Sequence, residues 1–297
     1  MVLRKLRTVL AGVVIGLATC GAGAAERMPV VASFSILGDL VSNVGGDRIA
    51  VSTLVGPDGD GHTFQPSPAD AKTMADARLL FVNGFGFEGW MTRLVQASGA
   101  KAPLIEATAG LAAQTMQEDG ETITDPHAWQ SVANAKRMVA TIRDGLEQAD
   151  PDGKSVYDAN AAAYLIKLDA LESEVKTTMA AIPAERRRII TSHDAFGYFG
   201  TAYGMSFIAP QGVSTDAEAS AQAVASIIRQ IRAEKIPAVF LENISDPRLI
   251  QQIASETGAK IGGTVFSDAL SPKSGPAGTY IDMMRHNIRE FGSALGS

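Results

Sequence analysis

Cysteine is almost absent from this chain of 297 residues. The only one is Cys20, which lies in an N-terminal segment with the features of a removable leader. The rest of the chain therefore has no disulfide, no thiolate metal site and no cysteine nucleophile. Histidine is also scarce, with four residues. Any metal site must be built from these few imidazoles together with carboxylates.

Long apolar runs are missing beyond residues 1–25. That segment, "MVLRKLRTVLAGVVIGLATCGAGAA", has three basic residues, an apolar run and small residues before a cleavage point near Ala24 or Ala25. This order is typical of a secretory signal peptide, and its apolar core is too short to span a bilayer comfortably. We expect a protein exported to the periplasm. In "LATC", Thr19 stands where a lipid-modified leader favours Gly or Ala, so we expect Cys20 not to be lipidated.

Positive charge is in short supply once the leader is removed. Three of the 26 basic residues lie in the leader, so 23 remain against 32 acidic residues. This balance argues against nucleic acid as a partner and suits a soluble exported protein or a cationic ligand. The length left after cleavage allows one large domain or two of medium size.

Short β-branched runs alternate with longer segments of helical period through most of the chain. Such alternation predicts α/β architecture with mainly parallel sheets flanked by helices. In the middle, a segment of 28 residues after Lys154 keeps a helical period with neither Gly nor Pro until Pro183. We predict an N-terminal lobe at 26–150, a rigid connector helix at 151–184 and a C-terminal lobe at 185–297. A later helix should begin at a capping box formed by Thr215 and Glu218.

Four polar side chains occupy similar positions relative to the predicted elements. His62 and His193 follow strands, His127 comes just before a helix, and Asp268 follows the strand "KIGGTVFS". Ligands of open α/β sheets bind beyond the carboxyl ends of the strands, so the four can meet in the cleft, two from each lobe. Imidazole with carboxylate is the ligand set of zinc and also admits manganese or iron.

Each of these residues also has a simpler interpretation. The Gly and Pro residues around His62 can form a turn that leaves the ring in solvent, and Asp268 can cap a helix. His193 beside Asp194 can belong to a hydrolytic pair. The fourth histidine, His286, lies within the last predicted helix, where a structural role is expected.

Two further carboxylates can orient the imidazoles rather than bind metal. Asp125 lies two residues before His127, where it can accept a hydrogen bond from a ligating ring or serve the turn. Glu242 ends a strand and can act as an acceptor or as a competing ligand. Metal-bound histidines generally need such acceptors on the second ring nitrogen.

Four motifs together resemble one family, the metal-binding solute receptors of bacterial ABC importers for zinc and manganese. "GHTFQPSPAD" is similar to the family's "HxYEPTPxD", "DPHAW" to "DPHxWL" and "FSDALS" to "YSDSLS", and "TSHDAFGYF" lies between the last two. The resemblance covers nearly all of the chain after the leader. It implies that His62, His127, His193 and Asp268 hold the metal.

The resemblance also implies a function and partners. We expect a protein that is not an enzyme, acts as a monomer, and delivers zinc to an ABC permease, with a periplasmic metal donor protein as a further partner. Manganese or iron is the alternative cargo. Zinc-importing members often carry a His-rich loop before "DPHxW", which this chain lacks, whereas manganese members usually have Glu at the position of His193. Two competing hypotheses are an exported zinc hydrolase and an adhesin.

The loop that carries His62 contains Gly56, Gly59 and Gly61. Glycine tolerates large backbone changes. With the lobes held by a rigid helix, we expect this loop, and not a wide hinge motion, to control metal release.

Overall fold

The computed structural model describes residues 26–118 and 120–296. The predicted signal peptide and Cys20 lie outside the described residues. Among the helices that are described, none combines the length and the apolar character that crossing a bilayer requires.

The N-terminal lobe contains a four-stranded parallel sheet. Its strands are β1 (Met28–Phe34), β2 (Ile49–Val55), β3 (Leu79–Val82) and β4 (Leu104–Glu106), in the order β2-β1-β3-β4. The helices of this lobe are α1 (Ser35–Gly45), α2 (Pro68–Asp76), α3 (Met91–Ser98) and α4 (Val132–Ala149). Strands β1 and β3 are apolar and buried nearly throughout, as expected for central parallel strands covered on both faces.

A two-stranded antiparallel hairpin interrupts this lobe. It pairs β5 (Thr115–Glu118) with β6 (Glu121–Thr124) and leads directly into the segment that carries His127. The alternation of strands and helices does not reveal this hairpin, because its residues are mostly polar and exposed. Its turn contains Gly120, whose φ of 84° lies in the region that favours glycine.

The connector is one helix, α5 (Lys154–Ala180), of 27 residues. It is about 40 Å long at 1.5 Å per residue. Short 3-10 turns, Pro151–Gly153 and Ala184–Arg186, flank it, so it begins and ends slightly inside the predicted bounds of 151–184. Pro183 explains the C-terminal end, since a proline disfavours helical backbone in the residue before it. The buried positions recur every three or four residues, namely Tyr157, Ala161, Tyr164, Leu168, Leu171, Val175 and Met179.

The C-terminal lobe repeats the architecture of the first. Its parallel strands are β7 (Arg188–Ile190), β8 (Ser206–Ile208), β9 (Ala238–Glu242) and β10 (Lys260–Val265), in the order β10-β9-β7-β8. The helices are α6 (Gly197–Tyr203), α7 (Ala221–Glu234), α8 (Arg248–Thr257) and α9 (Tyr280–Leu295). The N-terminal lobe also contains two 3-10 turns, Gly46–Arg48 and Ala128–Gln130. The predicted α/β fold with two lobes and a long connecting helix is confirmed.

One apolar core runs through both lobes. The buried residues of β1, α1, α4 and α5 form a single cluster with Phe199, Phe240 and Phe291 of the C-terminal lobe. A smaller second cluster, which includes Ile190, Ile228 and Ile250, also belongs to the C-terminal lobe. Interiors of this kind are close-packed, and the connector contributes its buried face to a core that both lobes share.

The predicted capping box at Thr215 and Glu218 is wrong. Helix α7 begins later, at Ala221, and its cap is Ser220, whose side chain accepts a hydrogen bond from the backbone N–H of Ala223. Thr215 does not cap the helix because its hydroxyl donates to Asp60 of the other lobe at 2.6 Å.

Candidate metal centre

His62 lies in the loop that follows β2. The preceding residue, Gly61, is wedged between the two aromatic side chains of the loop after β3. A Cβ atom at Gly61 would come within 2.5 Å of Phe87, and the carbonyl of Gly61 accepts a hydrogen bond from the indole of Trp90 at 2.8 Å. Glycine is thus required here for close approach. The His62 ring packs edge-on against Phe87, and 5% of its side chain is exposed.

His127 is oriented by Asp125. One carboxylate oxygen of Asp125 accepts both the backbone N–H of His127 at 2.9 Å and its Nδ1 at 2.8 Å. The same oxygen of Asp125 therefore both stabilises the turn, through the backbone N–H, and accepts the hydrogen bond from the ring. With the proton on Nδ1, the Nε2 lone pair of His127 faces the cleft and is able to bind a cation.

His193 follows β7 and is held by Glu242 at the end of the neighbouring strand β9. One oxygen of Glu242 accepts the backbone N–H groups of Ser192 and His193, at 2.6 and 3.0 Å. The other oxygen lies 2.6 Å from His193 Nδ1. Both side chains are fully buried. Glu242 is thus placed behind the imidazole, where it can orient the ring.

Asp268 comes shortly after β10. The carbonyl of the preceding residue, Ser267, accepts hydrogen bonds from Trp129 Nε1 and Gln130 Nε2, at 2.9 and 2.7 Å. These bonds attach the Asp268 segment to the N-terminal lobe. Asp268 is fully buried, and its Oδ1 has no hydrogen-bond partner among the described residues. A buried carboxylate oxygen without a donor is costly unless a cation compensates it.

The four side chains meet at one point between the lobes, two from each. Asp268 Oδ2 lies 3.1 Å from His193 Nε2 and 3.3 Å from His62 Nε2, and Asp268 Oδ1 lies 3.6 Å from His127 Nε2. The two Nε2 atoms of His62 and His127 are 3.2 Å apart. One donor atom from each residue lies within 4.8 Å of all the others. In a tetrahedral zinc site with bonds of about 2.0–2.1 Å, the donors are roughly 3.3–3.4 Å apart.

The charges around this point favour a cation. Burial alone lowers the pKa of His127, but Asp268 and Asp125 outweigh it and raise the pKa to about 9. Burial also lowers the pKa of His193, and Glu242 with Asp268 raises it well above its ordinary value. Burial raises the pKa of Asp268, whereas His193 and His127 hold it well below its usual range. The carboxylates therefore stabilise protons on the imidazoles, and a divalent cation can replace those protons.

The fourth histidine is not part of this cluster. His286 Nε2 pairs with the carbonyl oxygen of Thr264 at 2.8 Å, and its ring packs edge-on against Phe266. A structural role, as expected from its position within a helix, fits both contacts.

Three residues near the centre were not predicted from the sequence. Asp60 accepts the backbone N–H of His62 at 2.9 Å, and Phe87 and Trp90 support the His62 loop from the N-terminal lobe. The only signal for Trp90 is rarity, since the chain has two tryptophans and this one follows a strand. Asp60 lies in "DGDG", which is indistinguishable from an ordinary turn.

Comparison with known proteins consistently finds metal-binding proteins, although the named metal differs among them. A family model described as the periplasmic component A of the zinc-uptake complex matches residues 30–294. The chain is 35% identical to the manganese-binding lipoprotein MntA of Halalkalibacterium halodurans, over 95% of the chain and 96% of that protein. It is 32% identical to the iron-binding protein YfeA of Yersinia pestis, over 92% of the chain and 88% of that protein. The structure of the periplasmic zinc-binding protein TroA from Treponema pallidum superposes with a TM-score of 0.87 at 28% identity, covering 92% of this chain and all of that one.

Proposed function

The chain belongs to the family of periplasmic zinc-uptake components, and on that premise we propose that it captures zinc through His62, His127, His193 and Asp268. As a member of this family it is a metal-binding receptor of an ABC importer. It acts outside the cytoplasm, together with a membrane permease and an ATPase. Its relatives are substrate-binding proteins and not enzymes, which removes the hydrolase hypothesis.

The observation that carries the proposal is the convergence of three imidazole nitrogens on one buried carboxylate. Two of the rings have a second carboxylate behind Nδ1, from Asp125 to His127 and from Glu242 to His193. Carboxylates in this position fix the tautomer and make the ring a better metal ligand. Two of the donor rings are thus oriented by carboxylates of the chain itself.

The composition of the donor set supports zinc as the cargo. Three imidazoles and one carboxylate match the nitrogen-rich tetrahedral sites of zinc, whereas manganese prefers more oxygen ligands and a higher coordination number. The alternative, manganese, is supported by Asp268 Oδ1, which has no hydrogen-bond partner among the described residues, because a carboxylate that binds through both oxygens makes the site five-coordinate. The name of the relative MntA points the same way.

The metal content of the protein isolated from its own cells distinguishes the two cargoes, because zinc outcompetes manganese at most nitrogen and oxygen sites in a titration. We expect one zinc ion per chain and tighter binding of zinc than of manganese, and X-ray absorption of the zinc form should give four light ligands at about 2.0–2.1 Å. His127→Ala should weaken binding strongly, whereas His286→Ala serves as the matched control and should leave it unchanged. Manganese in place of zinc in the isolated protein would replace zinc by manganese in the proposal.

The remaining parts of the proposal concern the protein in the cell. It acts as a single chain in the periplasm, released by cleavage of the leader at 1–25, and receives metal from a periplasmic donor protein. The lobe boundaries stay predictions, at 26–150, 151–184 and 185–297. A lipid anchor at Cys20 is the alternative to a free protein, and the lipoprotein relatives favour it. An adhesin function has no support in the site.

A further inference from the structure

One carboxylate joins the His62 loop to the opposite lobe. Asp60 Oδ1 accepts the backbone N–H of His62 at 2.9 Å, and Asp60 Oδ2 accepts the hydroxyl of Thr215 at 2.6 Å. Thr215 belongs to the C-terminal lobe, in the segment between β8 and α7. The side chain of Asp60 therefore links the backbone of His62 to Thr215, which lies 155 positions after Asp60 in the sequence.

The same loop has two more bonds to the C-terminal lobe, and both are made by Asp58. Its backbone N–H donates to the carbonyl of Leu270 at 2.9 Å, and its carboxylate accepts the side-chain amide of Asn243 at 3.0 Å. Asp58 has a φ of 55°, a strained conformation for a residue other than glycine. Leu270 lies two residues after Asp268, and Asn243 lies next to Glu242. The loop is thus attached beside the residues that form the C-terminal half of the site.

The N-terminal lobe holds the loop on its other side, through Trp90 and Phe87 against Gly61. Asp60 and Thr215 also line a cleft of about 510 Å³ together with Ser192, the neighbour of His193. Breaking their bond would remove one of these three hydrogen bonds between the loop and the C-terminal lobe, on the side of this cleft. The glycines of the loop predict mobility, and these contacts restrain it.

We propose that Asp60 and Thr215 form a latch that positions His62 and sets the rate at which the bound metal leaves. The inference rests on the proposed function. His62 is the ligand candidate nearest to solvent, so its departure is the natural first step of release. While the Thr215 hydroxyl holds Asp60, the His62 backbone is tied to both lobes. Without this bond, His62 leaves the metal more often, and capture of metal from solution changes little.

Rapid mixing of the zinc-loaded protein with excess chelator measures the release rate. Thr215→Val removes the hydroxyl and should accelerate release roughly 10–100-fold, the range expected for one hydrogen bond to a charged acceptor. Thr215→Ser keeps the hydroxyl and should release zinc at the rate of the unmodified protein. Thr177→Val, the same change on the exposed face of α5, is the matched control and should have no effect.

The double variant Asp60→Ala with Thr215→Val tests whether Thr215 acts through Asp60. If it does, the double variant releases zinc no faster than Asp60→Ala alone, which a general loss of stability would not produce. Unfolding temperature and zinc content confirm that each variant is folded and loaded. Equal release rates for Thr215→Val and Thr177→Val, or multiplied effects in the double variant, would overturn the latch. Absence of zinc from the unmodified protein would overturn the proposed cargo and the latch together.

Discussion

Replacement of Glu242 by Gln tests the site without changing any of the four candidate ligands. Glu242 is fully buried, with one oxygen 2.6 Å from His193 Nδ1 and the other accepting the N–H groups of Ser192 and His193. A Gln side chain of the same shape can still accept these two backbone bonds. Its amide group, however, brings N–H donors to His193 Nδ1, where a carboxylate had been.

The expected effect follows from charge and tautomer. To avoid two opposed donors, His193 must move its proton from Nδ1 to Nε2, the nitrogen that faces the other ligands, or turn its ring. Loss of the Glu242 charge also lowers the pKa of His193, which reduces competition from protons. The affinity gained from weaker proton competition is smaller than the affinity lost with the carboxylate charge. At a similar distance, a divalent cation is attracted to that charge about twice as strongly as a proton. Carboxylates behind ligating histidines typically contribute 10–100-fold in affinity, which is about 1.4–2.7 kcal/mol.

Competition between the protein and a chelator of known affinity measures this change near neutral pH. We expect Glu242→Gln to bind zinc 10–100-fold more weakly, with one ion still bound per chain at saturation. The matched control is Glu185→Gln, the same change at an exposed residue just before β7, at the opposite end of that strand from His193. If Glu242→Gln bound zinc within two-fold of the Glu185→Gln control, the idea that Glu242 orients His193 for the metal would be refuted.

Two further predictions concern protons and the individual ligands. Because Asp268 and Asp125 raise the pKa of His127 to about 9, against an ordinary value near 6.5, zinc must displace a proton throughout that interval. Affinity should therefore rise with pH up to about 9, and calorimetry in buffers of different ionisation enthalpy should count at least one proton released near pH 7.5; a flat affinity from about pH 7.5 to 5 would exclude histidine ligands. His193→Ala should cost more affinity than His62→Ala, since His193 is fully buried and held by Glu242, whereas His62 is carried by a loop. Chelator competition checks this order, and a larger loss for His62→Ala would contradict it.

Local patterns were sufficient to predict the fold. A parallel strand with its helix is recognisable within some thirty residues, and the carboxyl ends of such strands meet at one edge of the sheet whatever else is packed around them. For that reason, His193 and Asp268, which follow strands of the same sheet, could be predicted to lie near one another, and the expectation that ligands bind in the cleft beyond the strand ends added His62 of the other sheet. The connector was equally visible, because its apolar positions repeat over seven turns without Gly or Pro.

The contacts that orient and hold the candidate ligands were decided by tertiary structure. Asp125 lies two residues from His127 and could be guessed, but the partner of Glu242 depends on the adjacent positions of β7 and β9. Thr215 shows the limit most clearly, since "TDAE" has the local form of a capping box and the hydroxyl is instead used by Asp60. A hydrogen bond across 155 residues forms only after two lobes have packed on a common core. The energy of such a bond depends on the relative placement of the two lobes, which no short stretch of sequence encodes.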